Sequence, residues 1–257
     1  MAGNALRRFL GAYAVCVACV HGQALQGIMH APVREFVRTG QTGDVLRDLV
    51  RSERQHGVFA GVVGLENLGD TWQRVSVNER DTDLGTVLRD ICAQDRAYQI
   101  VLSDRPELIN LLATVSDVPG HEVLAFQIPA LDIEADIWPE NLITRLSDYS
   151  PPLAAYLLAL YLKLGGGSTG QPGTIGGFSE TAKLPHFSIH LKNVSVREAL
   201  NAISLESFRM YRAIGIDPRI VHTPDQLLVS PTGWEYRLVD PRGTSFYRWS
   251  HEIFKAL

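Results

Sequence analysis

The hydrophobic pattern is most regular between Phe187 and Ile203, where it changes period once. Apolar and polar residues alternate through the first positions of this stretch, as in a half-buried strand. From Val196 onward apolar residues recur at i, i+4 and i+7, which is one stripe of a helix. Ser195 and Glu198, where the period changes, have the spacing of a capping box. The pattern predicts a strand, a tight turn and a short amphipathic helix.

A similar unit occurs 112 residues upstream. Ser76 matches Ser188, and Asp81 stands where Asn193 does, each with a side chain that can close a turn. The apolar positions correspond in order, with Val75, Val77, Leu84, Leu88 and Ile91 standing for Phe187, Ile189, Val196, Leu200 and Ile203. Few of these residues are identical, so the evidence is the shared order of strand, turn and helix. This order predicts an internal duplication.

The rest of the first half indicates a strand–helix–strand unit followed by strand–helix–strand–strand. Thr42 can cap the first helix, and Gly57 can end it. The predicted elements are strand 32–38, helix 44–55, strand 58–65, strand 75–78, helix 84–93, strand 97–102, a turn at 104–106 and strand 108–112.

The second half repeats this outline with an insertion. Strand-like alternation begins at Ile128, and Pro139 is placed to start a helix that runs to residue 146. A second helix over 153–164 is apolar almost all round, which predicts a core helix because it is too short to span a bilayer. The remaining predicted elements are a flexible glycine-rich loop over 165–177, strands at 208–213, 226–229 and 233–239, and an aromatic tail over 241–257 that docks on the body.

The N-terminus has the pattern of a secretory signal. Arg7 and Arg8 precede an apolar run over 9–20, and small residues at Gly22 and Ala24 favour cleavage after Ala24. A membrane anchor is the alternative, but the run is too short to span about 30 Å of hydrocarbon. Residues 1–24 are therefore predicted to be a signal peptide of an exported protein.

Composition and charge narrow the classes of partner. With 46% hydrophobic and 20% charged residues, the chain has the composition of a folded protein. Removal of residues 1–24 takes two of its 24 basic residues and none of its 28 acidic ones, which leaves a net charge of 22 − 28 = −6. A net negative charge argues against nucleic acid as a partner. The same cleavage leaves Cys92 as the one remaining cysteine, predicted to be a buried thiol.

The stretch 75–112, VSVNERDTDLGTVLRDICAQDRAYQIVLSDRPELINLL, together with the preceding helix and strand, resembles the short N-terminal domain of secretins and TonB-dependent receptors. Two degenerate copies would cover 32–118 and 121–240, the second with an insertion at 139–177. The resemblance implies an α+β fold of two small modules, each with small mixed sheets on short helices in βαβ–βαββ order. It also implies docking to periplasmic partners without catalysis or cofactor. Within residues 1–257 the resemblance does not extend to a channel-forming domain or a β-barrel.

Two glycine motifs occur in the loop over 165–177. Gly165, Gly167 and Gly170 have the spacing of a dinucleotide fingerprint, and Ser168 lies in a G-x-S-x-G pattern typical of a nucleophile elbow. Both motifs require a strand before the loop and a helix after it. Here a helix precedes the motifs and the sequence Gln171-Pro172-Gly173 follows them, so neither activity is predicted.

Two sets of polar residues alternate along predicted strands. His186 and His190 lie on one face with a serine between them, about 13 Å apart at about 3.3 Å per residue, which is too far to share one metal ion. Asp132, Glu134 and Asp136 alternate in the same way. Calcium binding is the alternative for these carboxylates, but both sets are predicted to be the solvated faces of strands.

These observations predict a non-enzymatic envelope protein that docks to another protein of the envelope or secretion machinery. No residue is assigned to a catalytic, cofactor or metal site, and no membrane span is expected after signal removal. The alternative is a periplasmic protein that binds a small molecule or glycan in a cleft between the modules, with the 165–177 loop as a lid. An enzyme, most simply a hydrolase, is the third hypothesis. The C-terminal aromatic residues are predicted to fill the core, although they could line a partner site.

Overall fold

The fold is that of a computed structural model. It describes residues 27–55, 61–68, 73–114, 120–137, 142–143, 145–163, 186–213, 221–222, 227–229, 233–237, 248–250 and 253–255. The first half contains β1 (Pro32–Gln41), α1 (Thr42–Gln55), β2 (Val62–Asn67), β3 (Arg74–Asp83), α2 (Leu84–Gln94), β4 (Tyr98–Leu102) and β5 (Leu108–Ala113). The second contains β6 (Gln127–Asp136), α3 (Pro151–Lys163), β7 (His186–Ser195), α4 (Val196–Ala213), β8 (Val221–His222), β9 (Leu227–Val229), β10 (Gly233–Arg237), β11 (Arg248–Ser250) and β12 (Ile253–Lys255). The predicted α+β class is confirmed.

The first half forms two sheets with two helices between them. β1 and β3 form an antiparallel two-stranded ribbon, while β2 pairs parallel with β5 and β5 antiparallel with β4. α1 packs on β1 and β2, and α2 packs on β3 and β4. The apolar stripes of both helices are fully buried, which is how an amphipathic helix is held between two sheets.

A second ribbon, formed by β6 and β7, repeats the geometry of the first. The backbone N–H of Leu84 donates to the carbonyl of Ala31 at 2.8 Å, and that of Val196 donates to the carbonyl of Phe126 at 2.9 Å. Asp81 and Asn193 have φ values of 47° and 52°, and no other non-glycine residue in the described ranges has a positive φ. Aspartate and asparagine tolerate this left-handed conformation better than most residues. The same turn therefore leads from each ribbon into its helix.

The predicted capping box at the start of α4 is present. The Ser195 hydroxyl accepts from the backbone N–H of Glu198 at 3.2 Å, and the Glu198 carboxylate accepts from the Ser195 backbone N–H at 2.6 Å. In the first ribbon, Asp83 has the equivalent role and accepts from the backbone N–H of Thr86 at 2.6 Å. Thr42, predicted as a cap, is the first residue of α1, and its hydroxyl donates to Asp95.

One sheet runs across the boundary between the halves. β10 pairs parallel with β2 and antiparallel with β11, giving the order β11-β10-β2-β5-β4. Trp234 and Tyr236 on β10 are 3% and 0% exposed, so these two aromatic residues fill the core as predicted. β11 and β12 lie in the aromatic tail, and β12 pairs with β9 in a separate three-stranded sheet with β8. The tail thus contributes strands to both sheets.

The structure corrects two predictions that concern the helices α3 and α4. Residues 208–213, predicted as a strand, are the last turns of α4. Ser204 and Ser207 continue the buried stripe of that helix, and because they are polar the apolar pattern alone ended it too early. α3 lies at the surface, not in the core: Leu153 and Leu160 are buried, but Leu158 is 58% exposed.

Other boundaries differ less. His121–Ala125 form a 3-10 helix before β6, and Leu146–Tyr149 form another, which begins at the last residue of the helix predicted from Pro139. Pro139, Gly57 and the 165–177 loop lie outside the described residues. No helix in the described parts of the chain is both long and apolar enough to cross a membrane.

Gly64 is required for close packing in the middle of the five-stranded sheet. A Cβ atom there would lie 2.4 Å from Asn110 Oδ1 and 2.4 Å from two ring atoms of Trp234. We expect Gly64→Ala to lower the free energy of unfolding by about 1–3 kcal/mol, because the buried indole cannot move aside freely. Gly40→Ala is the matched control, since its Cβ would meet one atom of Val45 at 3.4 Å. Chemical denaturation of both variants checks this; equal losses would contradict it.

Candidate functional site

The outer face of the second ribbon brings the two predicted sets of polar residues together. β6 and β7 are antiparallel, so Asp132 lies opposite His190, Glu134 opposite Ser188, and Asp136 opposite His186. We call these six residues the acid–histidine ladder. All six are exposed, in agreement with the prediction of solvated faces, but the sequence did not show that the faces are neighbours.

Both histidines contact Glu134. His186 Nε2 lies 3.2 Å from Glu134 Oε2, and His190 Nε2 lies 2.9 Å from Glu134 Oε1. The other nitrogen of each ring contacts an outer carboxylate: His186 Nδ1 is 2.8 Å from Asp136 Oδ1, and His190 Nδ1 is 3.0 Å from Asp132 Oδ1. The ladder is therefore an alternating chain of three carboxylates and two imidazoles, so the separately predicted residues form one hydrogen-bonded unit.

These contacts shift protonation in a consistent direction. The hydrogen bond to Asp136 raises the pKa of His186, and the hydrogen bond to Asp132 raises that of His190, with Glu134 adding to both shifts. The pKa of Glu134 is lowered, first by the Ser188 hydroxyl and then by the two imidazoles. Each shift favours the charged form of its group, as expected for opposite charges in hydrogen-bonding contact.

The contacts in the ladder include a series of the kind found in serine hydrolases, from Ser188 to His190 to Asp132. Their geometry does not favour nucleophilic catalysis. The Ser188 hydroxyl donates to Glu134 at 2.6 Å, whereas its oxygen is 3.4 Å from His190 Nε2. A triad histidine must accept the serine proton, and here that proton is directed to a carboxylate. The group is also open to solvent, where stabilisation of a developing oxyanion is weak.

Metal binding has no support from this geometry either. The three carboxylates, considered above as calcium ligands, are directed at the side chains of β7. Among the residues that the structure describes, no group of three or more His, Cys, Asp and Glu side chains is arranged to hold a metal ion. What the ladder offers is a charged surface that can exchange protons.

The first ribbon shows that the fold does not need the ladder. Its equivalent outer-face pairs are Val37 with Asn78, Thr39 with Ser76, and Gln41 with Arg74. The Thr39 and Ser76 hydroxyls lie 2.8 Å apart at the place of Glu134 and Ser188. The same backbone therefore forms with neutral or basic residues, so the carboxylates and imidazoles of the second ribbon are not dictated by ribbon geometry.

A second polar cluster is buried and was missed by the sequence analysis. Glu66 on β2 is 1% exposed; its carboxylate accepts from the backbone N–H of Ala113 at 2.9 Å and lies 2.6 Å from His121 Nδ1. Burial raises the pKa of Glu66 despite these favourable contacts. Because the histidine is 55 residues away in the sequence, spacing gave no signal for this pair.

The Glu66–His121 contact connects the two halves, and so does a buried hydrogen bond from Asn67 Nδ2 to Glu235 Oε1 at 2.7 Å. Buried polar groups that satisfy one another hold a single arrangement of the chain, because any shift would leave them without partners. This cluster has a structural role in the described part of the protein: it fixes β2 against β10 and the 3-10 helix before β6.

The remaining candidate residues add no chemistry. Cys92 is half-buried, and burial raises its pKa to about 11, which makes it a poor nucleophile at neutral pH. The glycine motifs and Ser168 lie outside the described residues. Trp249 and Phe254 lie in β11 and β12.

The chain was compared with protein-family models, curated proteins and solved structures. Neither a protein-family model, nor a curated protein, nor a solved structure matches the chain.

Proposed function

We propose that this chain is an exported, non-enzymatic docking protein of the cell envelope, which binds an envelope or secretion-machinery protein through the acid–histidine ladder. The observation that carries the proposal is the difference between the two ribbons. Both have the same strands and turn, but one displays three carboxylates and two imidazoles where the other displays neutral and basic residues. A row of charged side chains that the fold does not require can supply the electrostatic complementarity that gives an interface its specificity.

The charge of the ladder indicates the chemistry of the partner. Its carboxylates sum to −3 before the histidines are counted, and they lie along one line on an open ribbon face. A partner with a row of lysine or arginine side chains would be complementary to this face. Lys192, next along the face of β7, would oppose such a partner at one end and help to fix its register.

Location in the envelope rests on sequence features. Residues 1–24 have the signal pattern described above, and the two degenerate copies resemble a family of periplasmic docking domains. Both features support the same compartment independently, since one is a targeting segment and the other a fold resemblance.

The buried junction between the halves favours docking over the alternative of a ligand-binding cleft. β2 and β10 pair directly, and Trp234 and Tyr236 occupy the space beside them. Trp234 Nε1 donates to Asn201 Oδ1 at 2.8 Å, so the polar edge of this ring is already satisfied within the protein. Ligand sites usually offer open apolar surface lined by a few polar groups, whereas the aromatic rings described at this junction are buried.

The docking proposal predicts that removal of the ladder carboxylates weakens the binding of a partner. Residues 25–257 with a C-terminal tag would be used to capture proteins from solubilised envelopes at low salt. The triple variant Asp132→Asn, Glu134→Gln, Asp136→Asn is expected to bind a captured partner about tenfold more weakly, from three exposed charge pairs at about 0.5 kcal/mol each. Affinity for the purified partner, measured by calorimetry, checks the size of this effect.

The first ribbon provides the matched control. Glu35→Gln with Glu79→Gln removes carboxylates from the equivalent part of the chain, and this variant is expected to bind as the parent does. Equal capture by the triple variant and the parent would refute the ladder as the docking surface. A shift of melting temperature with sugars or metabolites, and no captured protein, would favour the ligand-binding alternative.

A further inference from the structure

We propose that the acid–histidine ladder is a proton-operated switch. Protonated imidazoles at His186 and His190 close it into one hydrogen-bonded chain, and loss of these protons opens it and leaves its carboxylates without neutralising partners. The switch follows from the arrangement of the side chains and does not require a partner. Its consequence for docking rests on the proposed function.

The geometry requires two N–H groups on each ring. All four imidazole nitrogens lie 2.8–3.2 Å from a carboxylate oxygen. An ionised carboxylate only accepts hydrogen bonds, and a neutral imidazole has one N–H and one lone pair. A neutral His186 or His190 would therefore place a lone pair against a carboxylate, and the contact would become repulsive. The closed ladder is satisfied only with both rings protonated.

Glu134 couples the two titrations. One of its oxygens contacts His186 and the other contacts His190. Protonation of one ring therefore holds the Glu134 carboxylate in the orientation that also contacts the other ring. Groups that share a partner in this way titrate as a unit. Loss of one proton also frees Glu134 to rotate toward the remaining imidazolium, which breaks the chain in the middle.

The surroundings reinforce this behaviour. His186 faces Asp136 and Glu134, while His190 faces Asp132 and Glu134. Lys192, two residues along from His190, carries the one other charged side chain on this face of β7 in the described residues, and α4 packs on the opposite face. The pKa of each histidine is raised by its carboxylates, so each ring keeps its proton to a higher pH than an unpaired imidazole would.

The switch changes the charge of the ladder threefold. With both rings protonated the ladder carries −3 + 2 = −1, and with both neutral it carries −3. A basic partner would therefore be bound more tightly as the pH rises through the histidine pKa values. Since these pKa values are higher in the folded protein than in the unfolded chain, the ladder stabilises the ribbon at lower pH, and this contribution is lost over the same rise.

Histidine titration by NMR in the full chain tests the switch without a partner. We expect Glu134→Gln to shift the titrations of both His186 and His190 to lower pH, because both rings lose a charged acceptor. Asp136→Asn should shift His186 more than His190, and Asp132→Asn should do the reverse. Long-range nitrogen–proton spectra should show both ring nitrogens of each residue protonated below the titration.

Glu35→Gln on the first ribbon is the matched control and should leave both titrations in place. The proposal is overturned if Glu134→Gln moves neither histidine, or moves them no more than Glu35→Gln does. Capture of the partner is measured separately. If Glu134→Gln shifts both titrations as expected but the ladder variants do not alter capture, the docking surface alone is refuted. If the ladder variants alter capture but the titrations do not shift, the switch alone is refuted.

Discussion

Trp234→Ala is expected to destabilise the whole protein by about 3–5 kcal/mol, with both halves unfolding in one transition. The indole is 3% exposed, lies against Gly64 of the neighbouring strand and donates to Asn201 on α4. Its removal leaves a cavity at the point where β10 joins β2. Urea denaturation followed by circular dichroism and by tryptophan-independent probes in each half would measure both the loss and its cooperativity.

Trp234→Phe separates packing from hydrogen bonding in this result. It keeps an aromatic ring but leaves Asn201 Oδ1 without its donor. We therefore expect the free energy of unfolding to fall by a smaller amount, about 1–3 kcal/mol. Leu158→Ala at the exposed surface of α3 should cost less than about 0.5 kcal/mol. A separate, unaffected transition for the first half in Trp234→Ala would show that the halves do not depend on the shared sheet.

Glu66→Ala is expected to lower the free energy of unfolding by about 2–6 kcal/mol. The substitution leaves the buried N–H of Ala113 without an acceptor and His121 without its partner, and each loss is worth about 1–3 kcal/mol. Glu66→Gln retains an oxygen for the Ala113 N–H and should lose much less. Denaturant midpoints at neutral pH compare the two, and equal losses would mean that the hydrogen bonds are not the source of stability.

The same carboxyl group gives a pH signature. Burial raises the pKa of Glu66 above its ordinary value of 4.5, so the group favours folding below that value, and this contribution is lost as the pH rises through the folded pKa. As the pH rises through the folded pKa, the free energy of unfolding of the parent should therefore fall relative to that of Glu66→Gln. A difference that is constant with pH would contradict the burial of an ionisable group here.

Local patterns predicted the elements of the fold well, and their partners poorly. The strand–turn–helix unit at Phe187 and its counterpart at Val75 have the elements and the Ser195 cap that their sequence indicated, because period and capping depend on neighbours within a few residues. The pairing of β10 with β2 could not be read in this way, since both are short strands and nothing local to either specifies its partner. The resemblance to the secretin and TonB-receptor domain stays a prediction.

The candidate site was predicted in pieces. Alternation identified His186 with His190, and Asp132 with Glu134, as exposed residues of two strands. Joining them needs the register of β6 against β7, in which partners are 50 to 58 residues apart. The spacing along one strand led only to the conclusion that the two imidazoles cannot share a metal ion, and it gave no sign that a carboxylate on the adjacent strand contacts both.

The parallel pairing of β2 with β10 also sets an order of events during folding. Val63 pairs with Gly233, so 233 − 63 = 170 residues of chain separate the partners. Until β10 emerges during synthesis, one edge of β2 has unpaired backbone groups beside apolar side chains, which is the kind of edge that recruits other strands. The first half can collapse early around α1 and α2, but its sheet is completed only when β10 is available. Until then, the edge of β2 that pairs with β10 is open to any other strand or chaperone that contacts the nascent chain.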